Sequence, residues 1–471
     1  MTSSSSEQHA SIIPLLSRAL HQIRQTPPRV IASPATQPRR AAVALILRVT
    51  PPPNYTSQSP ASLSPSSSPS QTPAPSLTDF FKLGWVNAPG ARPEILFLRR
   101  EKPDGSSTDG PHVSGHEPGM REAHVAFPGG RTEEGDEGGM YTAMRQTWEE
   151  IGLDLAENAY TPIGQLDDRE ITTSLGKRLL MILSPFVFLQ VTPHTTPVDP
   201  APGTTLHWVP LTELLPDTLT SPASRPKDKT GDPLRDRERK PKWSDVTVDA
   251  SSRLAPRHST VLRLLVRLLV GTMRFPAIVI DTTYPTDLAS LSPADAKSID
   301  EKRAQVESGS GGIQRQGSLS KLRPRKRNEK LKLWGLSLGM TLDLLAHLSP
   351  VTNGKSTGSS GNGAFVPPDA SLEMMGLPVM APSLTSVFPR FSYPDVNFWI
   401  WVFGKRYREV VRGWEASVRA GGTNDRRINW TGSALNTFYA AVRKALVVVI
   451  VLRAIFVLLA LLFGGWFVFI R

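Results

Sequence analysis

Glu149 and Glu150 stand side by side near the end of a short helical segment that also carries Arg145 and Gln146 and stops at Gly152. Two carboxylates so placed repel each other unless something positive lies between them. A hard divalent cation such as Mg²⁺ fills that role, because it takes oxygen ligands and shares its shell with water and substrate phosphates. At about 100° per residue, Gln146, Glu149 and Glu150 fall together on one side of the helix, since residues three and four apart are neighbours. Met144, Trp148 and Ile151 recur at helical spacing and predict a buried face, while Gly152 suits a left-handed cap. Ahead of the helix, Gly129 and Gly130 predict a tight turn that brings main chain close to a ligand. Arg145 is placed to fix the intervening loop by pairing with Asp136 or Glu137. A solvated acidic helix following a glycine loop explains the carboxylates alone, but not the ordered run of turn, arginine, paired glutamates and capping glycine.

These residues resemble the box of the Nudix hydrolase superfamily, which runs Gly, five residues, Glu, seven residues, then Arg-Glu-apolar-any-Glu-Glu-any-Gly-apolar. Arg145, Glu149, Glu150, Gly152 and Leu153 match its second half. Gly130 and Glu137 match the first half with one extra residue between them; Asp136 restores the five-residue gap but lies nine positions before Arg145. Gln146 stands where the family has a glutamate that usually ligates metal, and Thr147 where an aliphatic residue is usual. The resemblance implies hydrolysis of a nucleoside diphosphate linked to another group, with Mg²⁺ or Mn²⁺ as cofactor and a nucleotide-containing small molecule as substrate. It assigns Glu149 and Glu150 as metal ligands and, with Arg145 and Glu137, as the catalytic set. Gln146 becomes a weakened third ligand, because an amide oxygen brings no charge. Gly129, Gly130 and the positive end of the helix would face the phosphates. Asp167, Asp168 and Glu170 are candidates for a further ligand, although acidic pairs of this kind more often cap a turn. A second reading, from a different functional class, is a Nudix-fold binding or scaffold protein that has lost turnover through Gln146.

The flanks supply the elements such a site needs. Residues 41–48 and 94–100 predict buried strands, 179–191 an apolar strand interrupted at Ser184-Pro185, and 206–215 a strand running into a helix. Residues 261–271 predict an apolar helix carrying Arg263 and Arg267, 275–281 a strand, and 333–348 a closing amphipathic helix. The resemblance therefore covers about 41–348 and implies an α/β fold, a Nudix-like α/β/α sandwich with a mixed sheet. Long insertions at about 51–78, 216–258 and 287–330 are rich in Ser, Pro or charge and are expected to be disordered. His-Val-Ala-Phe-Pro-Gly-Gly at 124–130, Leu-Ser-Pro-Phe-Val at 183–187, Trp-Val-Pro-Leu at 208–211 and Leu-Trp-Gly-Leu at 333–336 are similar to the branch that includes coenzyme A diphosphatases. For Trp208 and Trp334, ordinary core packing is the expected role.

The chain has 471 residues and no cysteine, which excludes disulfides, thiolate zinc sites and cysteine nucleophiles. Its nine histidines are scattered without metal-ligand spacing. A formal charge of +12 raises the question of nucleic acid. The basic residues lie in tracts without interleaved aromatics, so no nucleic-acid partner is expected, and an anionic membrane surface or mere solubility accounts for them better.

Residues 446–470 are apolar except for Arg453 and are long enough to cross a bilayer core of about 30 Å. They predict a single-pass C-terminal anchor, with membrane lipid as a partner and Arg453 snorkelling toward Arg443 and Lys444. The Nudix-like domain is then cytosolic, a mitochondrial or peroxisomal membrane is compatible, and the Asn429-Trp430-Thr431 sequon stays unglycosylated. Residues 349–395 are expected to form a disordered linker, and 396–444 a juxtamembrane basic and aromatic segment, with 397–414 interfacial. Residues 1–40 are Ser-rich and basic and predict either a disordered tail or a presequence, with an amphipathic helix over 12–23.

Overall fold

The computed structural model describes residues 12–32, 39–52, 74–100, 123–172, 179–193, 197–215, 241–255, 259–281, 330–348, 388–410, 412 and 430–470. In chain order the elements are α1 (Ile13–Gln25), β1 (Arg39–Thr50), α2 (Leu77–Phe80), β2 (Arg92–Arg100), β3 (Ala123–Ala126), β4 (Gly129–Arg131) and α3 (Gly139–Ile151). There follow β5 (Tyr160–Gln165), β6 (Arg169–Thr172), β7 (Leu179–Gln190), β8 (Thr204–Pro210), α4 (Leu211–Leu214), β9 (Lys242–Asp249), α5 (Ala250–Leu254) and α6 (Thr260–Val270). The remainder are β10 (Thr272–Asp281), β11 (Lys330–Trp334), α7 (Gly335–Leu348), β12 (Arg390–Phe391), α8 (Pro394–Phe403) and α9 (Trp430–Ile470).

β1 is the spine. Successive side chains of a strand point to opposite faces, and here both faces are apolar. Leu45, Leu47 and Val49 enter one core, while Ala42, Ala44 and Ile46 enter another. β2 repeats the pattern, with Ile95 and Phe97 on the first side and Leu96 and Leu98 on the second. The first core is covered by α1 and α7, and the second by α3. β1 runs parallel to β7 and antiparallel to β2 and β4. The sheet path is β12-β10-β11-β3-β2-β1-β7-β5, with β4 on β1, β6 on β7, β8 on β2 and β9 on β10. The result is the mixed sheet between helices that the sequence predicts.

Four sequence expectations change. β7 runs unbroken through Ser184-Pro185, and the Pro185 carbonyl accepts from Leu166 N–H at 2.9 Å. Part of the expected 216–258 insertion is ordered: Lys242–Asp249 forms β9, paired along β10, and its alternating Val246 and Val248 are buried. The helix expected near 12–23 is α1, and Leu16, Ala19, Leu20 and Ile23 pack in the main core, so the folded unit starts before residue 41. Finally, residues 388–403 are built onto the domain: β12 pairs with β10, and Phe391 and Val396 join a core made by β9 and β10. Most of the expected insertions at 51–78 and 287–330, and the linker to residue 387, lie outside the described residues.

α9 enters that last core with Phe438, Val442, Leu446 and Val449, then leaves it. From Ile450 on its apolar side chains are largely exposed, and the stretch Asn436–Ile470 is long and apolar enough to cross a membrane. Arg453 does not turn toward Arg443 and Lys444. It pairs with Asp395 at 2.7 Å, donates to the Leu269 carbonyl and lies 4.4 Å from the Tyr393 ring centre. A guanidinium in an apolar helix is costly without a partner, and Leu269 of α6, Asp395 of α8 and Tyr393 just before α8 supply three.

One half-buried histidine gives the fold a pH signature. His207 on β8 is pushed down to about 4, first by burial and then by Arg99. The unfolded imidazole, near ~6.5, therefore takes up its proton first on acidification. This contribution to stability is full above about 6.5 and is lost as pH falls toward about 4. Melting temperature followed across that window should decline in the wild type, and His207→Gln should flatten the decline.

Candidate active site

α3 carries most of the candidate residues, and its seating decides where they point. Thr142, Ala143, Thr147 and Ile151 are its buried positions, whereas Trp148, expected inside, is 57% exposed. The helix is turned by about one residue from the face that apolar spacing predicts. The cause lies across the interface, where Ala42 and Ala44 of β1 offer only methyl groups and let the small side chains of α3 approach closely. Thr147, unusual for an aliphatic position, buries its hydroxyl by donating to the Ala143 carbonyl at 2.7 Å, a helical back-bond that satisfies the oxygen. Gly152 ends the helix at φ 66°, and its N–H caps the Trp148 carbonyl at 2.8 Å.

Gly129 and Gly130 form strand rather than turn: they are β4, paired with Val43 and Ala42 of β1. Close approach to backbone requires glycine at 129, whereas at 130 the neighbour is the flexible end of Gln146. A Cβ on Gly129, whose φ is 148°, would lie 2.3 Å from the Ala42 carbonyl oxygen. One on Gly130 would lie 1.9 Å from Gln146 Oε1. The glycine pair thus sits beside the later half of α3. Eleven residues separate Gly139 from Glu150, about 16 Å at 1.5 Å per residue. The N-terminal end of α3 and the glutamates therefore do not share one phosphate-sized site.

The loop between β4 and α3 is held by Arg145 through Asp136. Arg145 Nε and Nη2 donate to the two Asp136 oxygens at 2.8 Å each, Nη2 also to the Arg131 carbonyl at 3.2 Å, and Nη1 to Glu149 at 2.9 Å. Asp136 further accepts from Glu133 N–H at 3.0 Å and Thr142 Oγ1 at 2.9 Å. The guanidinium, then these donors, hold its carboxyl far below the usual carboxylate range, and Asp136 in turn raises Arg145. Spacing left Asp136 and Glu137 open as the partner of Arg145. The structure uses Asp136, and Glu137 is exposed.

The two glutamates take different partners. Glu149 accepts from Arg145 and, at 2.9 Å, from Gln146 Nε2. Glu150 is gripped on both oxygens by Arg100 at the end of β2, with Nη2 at 2.8 Å; the same guanidinium reaches the Phe127 carbonyl at 3.3 Å. Arg100 was not among the sequence candidates. It lies fifty residues from Glu150, and only its place at the close of a strand beside an apolar run hints at a position on the sheet's rim. Asp167 and Asp168 do not join this group. Asp167 accepts from Arg29 N–H at 2.9 Å; Asp168, buried, accepts from Ile31 N–H at 2.9 Å and from Gln165 and Ser184 at 2.7 Å. They clamp the segment after α1 onto β7. Glu170 lies on β6 in register with Ile182.

No group of three or more His, Cys, Asp or Glu side chains able to hold a metal gathers among the described residues. Mg²⁺, however, is commonly bound through one or two carboxylates plus water and substrate phosphates rather than by an all-protein cage. Each carboxylate oxygen keeps lone pairs beyond those engaged by the arginines. The hard oxygen donors of Glu149 and Glu150, with the Gln146 amide nearby, fit such a cation.

The core tryptophans behave as packing residues. Trp208 lies under Arg48, 4.0 Å from ring centre to guanidinium carbon, and Arg48 pairs with buried Glu94 at 2.8 Å. Trp334 packs against His124 and Phe275.

Residues 88–229 match the NUDIX domain family. An uncharacterized protein of Schizosaccharomyces pombe is 28% identical over 171 residues, which span 36% of this chain and 45% of that protein. A MutT/nudix family protein from Enterococcus faecalis, known from its crystal structure, aligns at 11% identity and a TM-score of 0.18, over 39% of this chain and 47% of the other. The family match begins after β1, yet β1 pairs with β2, β4 and β7, so the folded unit is larger than the matched span. Residues 88–229 thus match the NUDIX domain family, and strands and helices from outside the matched residues complete the fold.

Proposed function

We propose that this protein is a Nudix hydrolase that cleaves the diphosphate bond of a nucleoside diphosphate derivative with the help of a divalent cation, Mg²⁺ or Mn²⁺, while anchored to a membrane through α9. The observation that carries the reading is the presentation of Glu149 and Glu150 at the rim of the sheet by a helix whose preceding loop is fixed by Arg145 and Asp136. Glu149 and Glu150 would hold the cation, with Gln146 as a neutral neighbour. When bound, the cation supplies Lewis-acid polarisation of the phosphoryl group. Arg145 acts as a positioning residue that keeps Glu149 and the loop in place. Arg100 orients Glu150 and brings a positive charge to the rim where a diphosphate would sit. Coenzyme A or an acyl derivative is the substrate class we favour, on the strings at 124–130, 183–187, 208–211 and 333–336. Those strings fill β3, β4, β7, β8 and β11, so they support a branch architecture rather than a substrate contact.

A second reading has its own observation. Gln146 is neutral, and each glutamate already faces a guanidinium. A box so compensated suits a binding or scaffold domain that takes up cation weakly. Thermal stability against Mg²⁺ separates the two, because a ligand that binds only the folded state stabilises it by RT ln(1 + [L]/Kd). The enzyme reading predicts a rise in melting temperature with Mg²⁺ that Glu149→Gln and Glu150→Gln abolish. Gln146→Glu should melt lower than wild type in chelator, since it removes the donor to Glu149 and adds a like charge. With Mg²⁺ it should gain more than wild type. No Mg²⁺ response in wild type or in Gln146→Glu would remove the enzyme reading.

A further inference from the structure

α6 has an outward face that a water-exposed helix does not explain. Val261, Leu264, Leu265 and Leu268 follow the i, i+3, i+4, i+7 spacing of one helical stripe, and all four are exposed. The opposite side, with Val266, Leu269 and Val270, packs into the core formed by β9, β10, α8 and α9. On α8, Phe398, Trp401 and Val402 repeat the arrangement at i, i+3, i+4, also exposed, and exposed Lys405 and Arg406 follow. Arg408 lies over the Trp401 ring at 4.9 Å. Aromatic and aliphatic side chains outward with basic residues alongside is the composition of a helix lying in a membrane interface.

What covers these faces follows from where they sit on α9. Arg453 donates to the Leu269 carbonyl at the end of α6 and pairs with Asp395 at the start of α8, and Tyr393 Oη donates to the Leu268 carbonyl at 3.2 Å. The last buried residue of α9 is Val449, one turn earlier. Both apolar faces are therefore fastened to the level at which the anchor helix leaves protein contact. The stretch from Ile450, the first residue past the buried part of α9, to Ile470 is about 30 Å of helix at 1.5 Å per residue, the thickness of a bilayer core.

We propose that α6 and α8 form a platform that lies in the interfacial layer of the membrane crossed by α9, with Arg453 as the pin that fixes its depth, and that the surface it rests on is an anionic lipid bilayer. The inference rests on the reading of α9 as an anchor and adds to it. The Nudix domain does not hang from a flexible tether but is seated directly on the lipid, with its orientation set by three helices.

The absence of cysteine permits a direct test. Full-length chains with Leu264→Cys, Leu268→Cys, Phe398→Cys, Val457→Cys or Lys82→Cys are labelled with an environment-sensitive fluorophore. They are then placed in phosphatidylcholine–phosphatidylserine vesicles carrying lipid quenchers at shallow or deep positions. The proposal expects blue-shifted emission and loss of intensity to the shallow quencher at 264, 268 and 398, to the deep quencher at 457, and no change at 82. Quenching at 457 with none at the other three overturns the platform and leaves the anchor. No quenching at 457 overturns the anchor reading as well. A blue shift at 264 and 268 without quenching by either lipid means protein covers the stripe, and that also overturns the proposal.

Discussion

Glu149→Gln and Glu150→Gln each lower the rate of diphosphate cleavage by roughly 10²–10⁴-fold without unfolding the domain. The amide keeps the shape of the side chain but removes its charge, and a cation worth several kcal/mol to the transition state is then lost or displaced, at about 1.4 kcal/mol per tenfold in rate. Glu149 is about half exposed, so Glu149→Gln should change stability by no more than about 1 kcal/mol, whereas Glu150 is mostly covered and paired with Arg100, and Glu150→Gln should cost about 1–3 kcal/mol. The pair is also informative in contrast. Glu149 shares Arg145 with Asp136, so Glu149→Gln leaves the arginine engaged; Glu150→Gln leaves Arg100 with the Phe127 carbonyl. If either variant keeps the full wild-type rate, that glutamate is not a ligand. Steady-state rates at saturating Mg²⁺, with melting curves on the same samples, check both halves.

Asp136→Ala is the substitution with the largest expected cost to the fold. Asp136 is almost fully buried and gives Arg145 a two-pronged partner. Removing one member of a buried pair costs about 3–5 kcal/mol because it strands the other charge. The lower end applies, since Arg145 keeps Glu149 and the Arg131 carbonyl. At roughly 2–4 °C per kcal/mol for a domain of this size, the melting temperature drops by about 6–12 °C. The pH dependence has a definite sign. Asp136 is depressed in the folded state, so its contribution is complete above the unfolded value near ~4 and disappears as pH falls below it toward the folded value. The gap between wild type and variant should therefore be constant from neutral pH down to about 4 and close only in stronger acid. Glu137→Ala, at the exposed neighbour, should stay within about 0.5 kcal/mol of wild type. Equal losses at both positions would contradict the assignment of Asp136 as the anchor of the loop.

Much of the architecture was legible because it rests on local pattern. β1 and β2 are unbroken apolar runs that both faces of a sandwich require, and the box, Gly152 included, is a string of neighbours in sequence. What could not be read depends on partners far along the chain. The buried face of α3 differs by one residue from the one its apolar spacing predicts because the small side chains that admit it, Ala42 and Ala44, lie a hundred residues earlier. Nothing local marks Arg100 as the partner of Glu150. β9 was hidden in a charged, proline-rich stretch, since its alternation is short and becomes a strand only against β10. Helical spacing predicts α1, but only the sheet shows that its apolar face packs into the core. The nearest charges in sequence to Arg453 are Arg443 and Lys444, whereas Asp395, 58 residues away, holds it.

The central claim is metal-dependent hydrolysis, and release of nucleotide product tests it most directly. The full-length chain is incubated with coenzyme A, acyl-coenzyme A, ADP-ribose and dinucleotide substrates, with Mg²⁺, Mn²⁺ or chelator, alongside Glu149→Gln and Gln146→Glu. The account predicts cleavage of at least one substrate by wild type that chelator and Glu149→Gln both eliminate. No product from any substrate with either cation, and none gained by Gln146→Glu, would contradict it.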